Sequence, residues 1–203
     1  QVSAYKMSNE WDKAAELLKG LADKLQTQDV IWNYAFFSQN QNQFVEAEKY
    51  YKLSINKLSI LSNTRLETYE FYIAAIYNNL GLLYGTTQRF ADSEQMHQLA
   101  LEKRKRLAAT NPQAYEPDLA TSYNNLGILY HDIQRFSDSE QMHQLALEKR
   151  KRLAVTNPQA YEPDLAMSYN NLGVLYHATQ RFSDSEQMYN SALKIRKRLA
   201  VTN

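Results

Sequence analysis

The stretch Tyr123-Asn124-Asn125-Leu126-Gly127 occurs three times in the chain, always at the same interval. It returns 46 residues earlier as Tyr77-Asn78-Asn79-Leu80-Gly81 and 46 residues later as Tyr169-Asn170-Asn171-Leu172-Gly173. A fixed period of this length indicates a repeat architecture, in which each unit packs against its neighbours. The sequence therefore predicts one elongated domain built from stacked repeats rather than a domain with a single deep core.

Residues outside this stretch keep the same 46-residue step. Four phenylalanines are in phase with one another, and so are four glutamates: Phe44, Phe90, Phe136, Phe182, Glu48, Glu94, Glu140 and Glu186. The chain therefore contains four copies, with boundaries that we place at 28–73, 74–119, 120–165 and 166–203. Residues 1–27 match part of a preceding repeat, and no polar capping helix follows the last copy. We therefore expect either a piece of a longer array or an array whose end is covered by a partner.

Composition excludes several other classes of protein. Hydrophobic residues make up 44% of the chain and charged residues 22%, a mixture too apolar for disorder and typical of helical domains. No run approaches the roughly 18 apolar residues of a membrane span, so we expect a soluble chain, with a cytoplasmic location favoured. The absence of cysteine excludes disulfides and thiolate chemistry. A net charge of +1 argues against nucleic acid and anionic membranes as partners.

Within one copy, the spacing of apolar residues predicts two helices. The first has buried-type residues three or four positions apart: Ala120, Tyr123, Leu126, Gly127 and Tyr130. The second follows a break at Gln134-Arg135, and its expected buried residues are Phe136, Ser139, His143, Ala146 and Leu147. We place its start at the capping-box pattern Ser137-Asp138-Ser139-Glu140, with the carboxylates as partners of the helix dipole. Each copy is thus predicted to be an antiparallel helical hairpin.

The segments between copies predict where each first helix begins. Pro117 and Pro163 suit the first turn of a helix, because a missing N–H is tolerated there, and Asp118 complements the helix dipole. In the second copy, Thr64-Arg65-Leu66-Glu67 has the pattern of a capping box. We therefore expect the helix that carries Tyr77 to start about two turns earlier than its counterparts in later copies.

The hairpin resembles the tetratricopeptide repeat. With Ala120 as motif position 1, the family pattern is met at positions 4, 7, 8, 11, 17, 20 and 27 by Tyr123, Leu126, Gly127, Tyr130, Phe136, Ser139 and Ala146. The usual repeat has 34 residues, and the longer unit found here is most similar to the kinesin-light-chain-like subgroup with long second helices. The resemblance implies an all-α fold, a right-handed superhelical solenoid of antiparallel hairpins.

The resemblance also implies a binding surface. In this family, motif positions 2, 5, 6, 9, 12 and 13 of the first helices face a concave groove that binds peptides or partner helices. Carried over to this chain, the groove residues are Trp32, Asn33, Phe36, Asn78, Asn79, Asn124, Asn125, Ile128, His131, Met167, Asn170, Asn171, Val174 and His177. None of the groove positions holds Lys or Arg, so the family's carboxylate-binding grooves are not expected here.

Asparagines dominate motif positions 5 and 6. Side-chain amides both donate and accept hydrogen bonds, so a ladder of them can align an extended peptide, with apolar pockets beside it. The alternative is that these asparagines bond to neighbouring helices and stabilise the stack, and the sequence does not separate the two roles. Copies three and four differ at groove positions 2, 9 and 13, which carry Thr121/Met167, Ile128/Val174 and Asp132/Ala178.

Cations are concentrated late in the second helices. The clusters Lys103–Arg106, Lys149–Arg152 and Lys194 with Arg196–Arg198 hold 12 of the 23 lysines and arginines. We interpret them as a solvated edge, where positive charge complements the helix dipole and nearby acidic residues. A basic ridge for an acidic partner or a phosphate backbone is the alternative, which the near-zero net charge disfavours.

No pattern indicates catalysis, a cofactor or a metal site. His131 and His177 share one motif position, and His97 and His143 share another, but imidazoles one repeat apart are roughly 10 Å from each other. That separation is too large for two ligands of one metal ion, so we interpret these histidines as polar or packed. We expect a non-enzymatic scaffold for a protein or peptide partner. End-to-end self-association and a role as an accessory or sensor segment of a larger protein stay open.

Overall fold

The computed structural model describes residues 11–25, 27–61 and 66–202 of the chain. These residues form nine α-helices and no strand, which confirms the all-α fold class. The helices are α1 (Trp11–Leu25), α2 (Gln28–Asn40), α3 (Phe44–Leu61), α4 (Leu66–Thr86), α5 (Phe90–Thr110), α6 (Pro112–Asp132), α7 (Phe136–Thr156), α8 (Pro158–Ala178) and α9 (Phe182–Thr202).

The chain divides within α5, between Met96 and His97, into two compact units. The first unit contains α1 to α4 and the start of α5, and the second contains the rest of α5 and α6 to α9. In each unit a helix packs mainly against the helices before and after it in the chain. Packing between neighbouring repeats is the arrangement that the 46-residue period predicts.

Tight turns join the two helices of each hairpin. Asn42, Gln88, Gln134 and Gln180 have positive φ values of 59°, 59°, 61° and 60°, in the left-handed region. At the third of these turns the Arg135 N–H donates to the Tyr130 carbonyl at 2.7 Å, which closes the end of α6. The left-handed residue reverses the chain within a few residues, so the second helix starts at once and packs back on the first.

The faces that the periodicity predicts to be buried form the core of the α6–α7 hairpin. Nine of the ten residues are buried, namely Ala120, Tyr123, Leu126, Gly127, Tyr130, Ser139, His143, Ala146 and Leu147. The tenth, Phe136, is half-buried at the turn. The hairpin prediction is therefore confirmed at the level of individual side chains.

The capping box predicted at Ser137-Asp138-Ser139-Glu140 is wrong. α7 begins at Phe136, so Ser139 lies inside the helix, and its Oγ donates to the Gly127 carbonyl of α6 at 2.8 Å. The equivalent bond joins the two helices of other hairpins, from Ser93 to Gly81 and from Ser185 to Gly173. The serine is buried because it is small enough for the helix crossing and gives its hydroxyl an acceptor there.

The predicted start of the first helices is also wrong. α6 begins at Pro112 with Asn111 as its N-cap, and the Asn111 side chain accepts a hydrogen bond from the Ala114 N–H at 3.2 Å. Proline is favoured at the first helical position, where its N–H would have no helical acceptor. Pro117 therefore lies inside α6, and Pro163 lies at the same place inside α8.

Within the described residues, the helix that carries Tyr77 is as long as its counterparts. α4 begins at Leu66, which is in the same phase of the repeat as Pro112 and Pro158 at the starts of α6 and α8. The expected extension by two turns is therefore wrong, because the later helices also begin before their internal proline. Thr64, the expected cap of α4, lies outside the described residues.

A buried arginine joins each second helix to the next first helix in the second unit. Arg150 on α7 is 2% exposed, and its Nη1 donates to Ser168 Oγ at 2.9 Å and to the Asp164 carbonyl at 3.2 Å on α8. Arg104 on α5 donates in the same way to Ser122 Oγ at 2.9 Å and to the Asp118 carbonyl at 3.0 Å on α6. We expected Asp118 beside a helix start, but its carbonyl instead accepts a hydrogen bond from Arg104 of the preceding helix.

Acidic residues early in the second helices also join neighbouring hairpins. Glu140 on α7 accepts hydrogen bonds at 2.9 Å from the Tyr176 hydroxyl and from Arg181 Nη1, both in the next hairpin. The same triad in the first unit consists of Glu48, Tyr84 and Arg89. Glu140, expected to serve as a dipole partner, is therefore a link between hairpins.

Replacing Glu140 by alanine is expected to lower the free energy of unfolding by about 1 kcal/mol, because a phenol and a guanidinium lose their shared acceptor. Glu148 lies on the same helix, is more exposed, and is 3.8 Å from Arg152. Its replacement by alanine should change stability by less than about 0.5 kcal/mol. Urea unfolding followed by circular dichroism measures both values, and equal losses would show that Glu140 does not link the hairpins.

Candidate protein-binding surface

The first helices of neighbouring hairpins lie side by side in both units. Cα atoms of α6 and α8 approach within 8 Å, and so do those of α2 and α4. The Cα atoms of α7 and α9 do not, nor do those of α1 and α3. A stack of hairpins that is closer on one side curves toward that side. We call the accessible residues of α2 and α4, and separately those of α6 and α8, the inner face of each unit.

One apolar residue of each hairpin is exposed on the inner face. Phe36 is 49% exposed, Leu82 and Ile128 are each 42% exposed, and Val174 is 41% exposed. All four occupy motif position 9. We call Phe36 with Leu82 the apolar row of the first unit, and Ile128 with Val174 the apolar row of the second unit. Met167, at position 2, is 38% exposed in the second unit. Leu82 was missed as a groove residue, although the 46-residue step from Phe36 and Ile128 identifies it.

The asparagines at motif position 5 are largely withdrawn from solvent. Asn78 is 7% exposed and Asn124 is 3% exposed. Asn124 Oδ1 accepts a hydrogen bond from Asn171 Nδ2 of the next first helix at 2.8 Å and another from Arg150 Nη1 at 3.4 Å. The bonds of Asn124 support the interpretation in which the amides stabilise the stack, and burial leaves both Asn78 and Asn124 little surface for a ligand.

The asparagines at motif position 6 are more accessible. Asn33 is exposed, while Asn79, Asn125 and Asn171 are half-buried, as is Asn170 at position 5. Asn171 already uses its Nδ2 in the bond to α6. The amides of the second unit are thus partly engaged with one another rather than presented as a free ladder.

Aromatic contacts fix the remaining predicted groove residues. The half-buried Trp32 ring packs edge-on against Tyr72, with 6.4 Å between centroids. His131 packs against Phe136 at 5.9 Å, and the exposed His177 packs against Phe182 at 5.5 Å. Both histidines therefore lie beside a hairpin turn, at one end of the inner face.

Two second-helix histidines are buried away from the inner face. His97 and His143 are each 2% exposed, which confirms that they are packed. Burial, with smaller contributions from the nearby His131 and Arg150, lowers the pKa of His143 to about 4. Burial also lowers the pKa of His97 to about 4, with a contribution from Arg104. Both imidazoles are therefore neutral at pH 7.

The cation clusters are engaged within and between hairpins. Lys149 and Arg152 both contact the Glu116 carboxylate, at 3.2 and 2.9 Å, and Arg198 contacts Glu162. Arg104 and Arg150, expected on a solvated edge, are instead buried, because each has backbone and hydroxyl acceptors on the next hairpin. These contacts occupy charges that an acidic partner would need.

No group of three or more His, Cys, Asp or Glu side chains with the geometry for a metal ion occurs in residues 11–25, 27–61 and 66–202. None of the nine described helices combines the length and the hydropathy required to cross a bilayer.

Comparisons with known proteins identify the repeat. A family profile described as tetratricopeptide repeat matches residues 72–152, and a second profile with the same description matches residues 165–203. Together the two segments cover more than half of the chain. No curated protein matches the chain.

Solved structures share the fold over nearly the whole chain. BtubC (BKLC) from P. vanneervenii aligns with a TM-score of 0.79 at 24% identity, covering 98% of this chain and 78% of its own. The apo form of RapI aligns with a TM-score of 0.77 at 12% identity, covering 97% and 68%. A kinesin light chain from Podosopora anserina with nearly identical repeats aligns with a TM-score of 0.65 at 15% identity, covering 97% and 92%.

These structural likenesses establish the fold, and the profiles establish the repeat type. Proteins built from this repeat are generally scaffolds for other proteins rather than enzymes. With its stacked hairpins, its recurring Leu-Gly core and the two profile matches, the chain belongs to the tetratricopeptide-repeat family, and its long hairpins are of the kinesin-light-chain-like type.

Proposed function

We propose that the inner face of the second unit binds a helical segment of a partner protein, anchored by its apolar row, Ile128 and Val174. The observation that carries this proposal is the exposure of an apolar residue at the same position of adjacent first helices in this unit, 42% for Ile128 and 41% for Val174. Scattered exposed apolar residues are ordinary on a protein surface, but a row in register along one face is typical of an interaction site. Polar side chains flank the row, as in the rim of an interface.

The pitch of the apolar row suits a helix. Packed helices lie about 8–10 Å apart, so Ile128 and Val174 on adjacent first helices repeat at about this distance. In an α-helix every seventh residue returns to the same side after a rise of about 10.5 Å. In an extended strand, residues on one side repeat about every 7 Å, which does not match. The partner segment is therefore a helix with an apolar residue at every seventh position.

The burial and hydrogen bonding of the asparagine side chains also favour a helical partner over an extended peptide. An extended segment leaves its backbone N–H and C=O groups in need of partners, whereas a helix satisfies them internally. Asn124 is buried, and Asn171 uses its Nδ2 to bond to it. These amides already bond to each other between helices. The inner face of the second unit is therefore better suited to apolar contacts than to hydrogen bonds with an extended backbone.

The proposal is tested with two displayed peptide libraries, one of helical peptides with leucine at every seventh position and one of extended peptides with leucine at every second position. We expect the chain to enrich the helical library. Changing Ile128 and Val174 together to aspartate should abolish that enrichment, because each anchor site gains a charge that cannot be buried. Enrichment of the extended library instead would contradict the helical partner.

Two control variants separate the apolar row from general effects. Val155 on α7 is 83% exposed, away from the inner face, so Val155→Asp should leave peptide binding unchanged. The triple change of Asn79, Asn125 and Asn171 to alanine tests the amide ladder directly. If the triple variant loses binding with unchanged helical content while the aspartate variant keeps it, the asparagines and not the apolar row bind the ligand.

A further inference from the structure

The two first helices of the second unit differ along one accessible stripe of the inner face. In chain order, the α6 stripe consists of Thr121, Ile128 and Asp132, and the α8 stripe consists of Met167, Val174 and Ala178. Their spacing of seven and then four residues keeps the members of each stripe on one side of the helix. The apolar row of the unit supplies the middle member of both stripes. The α8 stripe is apolar throughout, whereas the α6 stripe begins with a hydroxyl and ends with a carboxylate.

The carboxylate of the α6 stripe is not neutralised within the hairpin. Asp132 is the last residue of α6, and its side chain is 55% exposed. A negative charge at the C-terminal end of a helix is repelled by the helix dipole. Among the described residues Asp132 pairs with no lysine or arginine, and its ion-pair contact is with His131 Nδ1 at 3.5 Å. Arg135, the next cation along the chain, pairs instead with Asp138 at 2.7 Å.

The charges around the stripes are segregated by helix. α6 and α8 contain acidic residues but no lysine or arginine, whereas α7 between them carries four cations near its end. The carboxylates near the starts of α6 and α8 already have partners. Glu116 and Glu162 contact cations of the second helices, and Asp118 and Asp164 interact with buried arginines. Asp132 is therefore the carboxylate of these two helices that a ligand can neutralise.

We propose that the helical partner of this face carries one lysine or arginine, placed beside the apolar residue that contacts Ile128 and paired with Asp132. The inference rests on the proposed function and adds the charge and the direction of the partner to it. Side chains four residues apart on a helix are about 5–6 Å apart at Cβ. A long cationic side chain on the flank of the partner helix therefore reaches Asp132 while its apolar neighbour packs on Ile128.

The α8 stripe offers no carboxylate to a second cation. Ala178 takes the place of Asp132 there, and Met167 takes the place of Thr121 and is 38% exposed. A cation over this stripe would lose part of its hydration without gaining an opposite charge. The flexible methionine side chain instead adapts to the shape of an apolar partner residue. The difference between the two stripes thus orients the partner, with its cation over α6 and its uncharged end over α8.

Four helical peptides with two leucines seven positions apart test the proposal. They carry a lysine beside the first leucine, beside the second, beside both or beside neither, and fluorescence anisotropy with the full chain measures their dissociation constants. We expect the two-lysine peptide to bind about threefold tighter than the lysine-free peptide, as for an exposed ion pair. The better of the two single-lysine peptides should match it, because the face offers one carboxylate. Ionic strength of about 0.5 M should remove most of the gain.

Three variants of the chain assign the effect to one carboxylate. Asp132→Asn keeps the shape of the side chain and removes its charge, so all four peptides should bind it as the lysine-free peptide binds the wild type. Ala178→Asp adds a carboxylate to α8, so the two-lysine peptide should then bind about threefold tighter than either single-lysine peptide. Glu148→Gln removes the same charge from an exposed site on α7 and should leave all four dissociation constants unchanged.

The outcomes for the cation and for the helical partner can be told apart. Equal binding of all four peptides to the wild type overturns the pairing with Asp132 and leaves the helical partner supported. If no peptide binds, both proposals are overturned. A lysine preference that persists in Asp132→Asn also overturns the pairing, since another carboxylate must then supply it. Asp132→Asn should not lower the midpoint of urea unfolding, because it removes a charge that the helix dipole repels. A lowered midpoint would assign the carboxylate to the fold and overturn its role in binding.

Discussion

Gly127→Ala is expected to lower the free energy of unfolding by about 2 kcal/mol, although alanine is the better helix former by about 1 kcal/mol. A Cβ at this position would lie 2.7 Å from both Cε1 and Nδ1 of the His143 ring. That separation is shorter than any stable contact, so the ring must move. His143 is 2% exposed and enclosed by packed helices, which leaves it no space to move into without disturbing them.

Gly85→Ala is the matched control. Gly85 also lies in a first helix, but a Cβ there would meet only Ser93 Oγ, at 3.4 Å, an ordinary contact distance. The change should therefore stabilise the chain by about 0.5–1 kcal/mol through helix propensity alone. Urea unfolding of both variants measures the two changes in the free energy of unfolding. If the two glycine variants shift stability in the same direction and by the same amount, the close approach to His143 is not what requires glycine.

A double-mutant cycle assigns the loss to one contact. His143→Ala removes the ring that the new Cβ would meet, so adding Gly127→Ala to that background should cost little or even stabilise. The coupling between the two changes should reach about 1–2 kcal/mol, which is in the range for residues in direct contact. Additive effects would place the strain elsewhere in the hairpin.

Sequence periodicity predicted the hairpin interior because burial there depends on contacts within one repeat. Leu126 and Tyr130 are buried on the face that the three-and-four spacing defines. Such spacing is a property of the local chain and needs no knowledge of the neighbours. The same reasoning identifies Leu82 as a member of the apolar row of the first unit, since it is in phase with Ile128.

The helix starts could not be predicted in the same way because two signals compete in each junction. Pro112 and Pro117 both suit an early helical position. The Asn111 side chain caps the helix that starts at Pro112. The Asp118 carbonyl then lies within α6 and accepts a hydrogen bond from Arg104 on the preceding helix. The second contact joins residues of two hairpins, so no pattern within one junction reveals it.

The roles of the asparagines were undecided for a related reason. Asn124 and Asn125 are adjacent and identical in type, yet the first is 3% exposed and the second is half-buried. Asn124 is withdrawn because Arg150 reaches it from α7 and Asn171 reaches it from α8. Recognising this requires the distances between three helices, which the sequence of one repeat does not contain.

Between pH 7 and pH 4 the chain is expected to lose about 3 kcal/mol of stability for each of His97 and His143. Burial lowers the pKa of each imidazole from 6.5 to about 4 in the folded chain. The unfolded chain takes up these protons below about pH 6.5, whereas the folded chain stays neutral until about pH 4. The unfolded state thus binds more protons in this window, so stability is complete above it and falls as the pH is lowered through it.

The variant His143→Tyr isolates the contribution of one imidazole. Tyr51 occupies the same motif position on α3, where it is fully buried and donates to Gln39 Oε1 at 2.8 Å. His131 occupies the motif position of Gln39, and its buried Nε2 has no hydrogen-bond partner among the described residues. A tyrosine at position 143 therefore fits the space and has an acceptor for its hydroxyl.

Urea unfolding at pH 7 and at pH 4 measures the effect in the wild type, in His143→Tyr and in the exposed-histidine control His177→Gln. The tyrosine variant should lose about 3 kcal/mol less than the wild type between the two pH values, since His97 alone then takes up the extra proton. Carboxylates titrate in the same range, but they do so equally in all three proteins and cancel in the comparison. His177→Gln, a change at an exposed histidine away from the His143 ring, should follow the wild type. Equal losses in the wild type and in His143→Tyr would mean that the folded chain admits a proton to His143 as easily as the unfolded chain does, and that the hairpin contact opens enough for water to reach the ring.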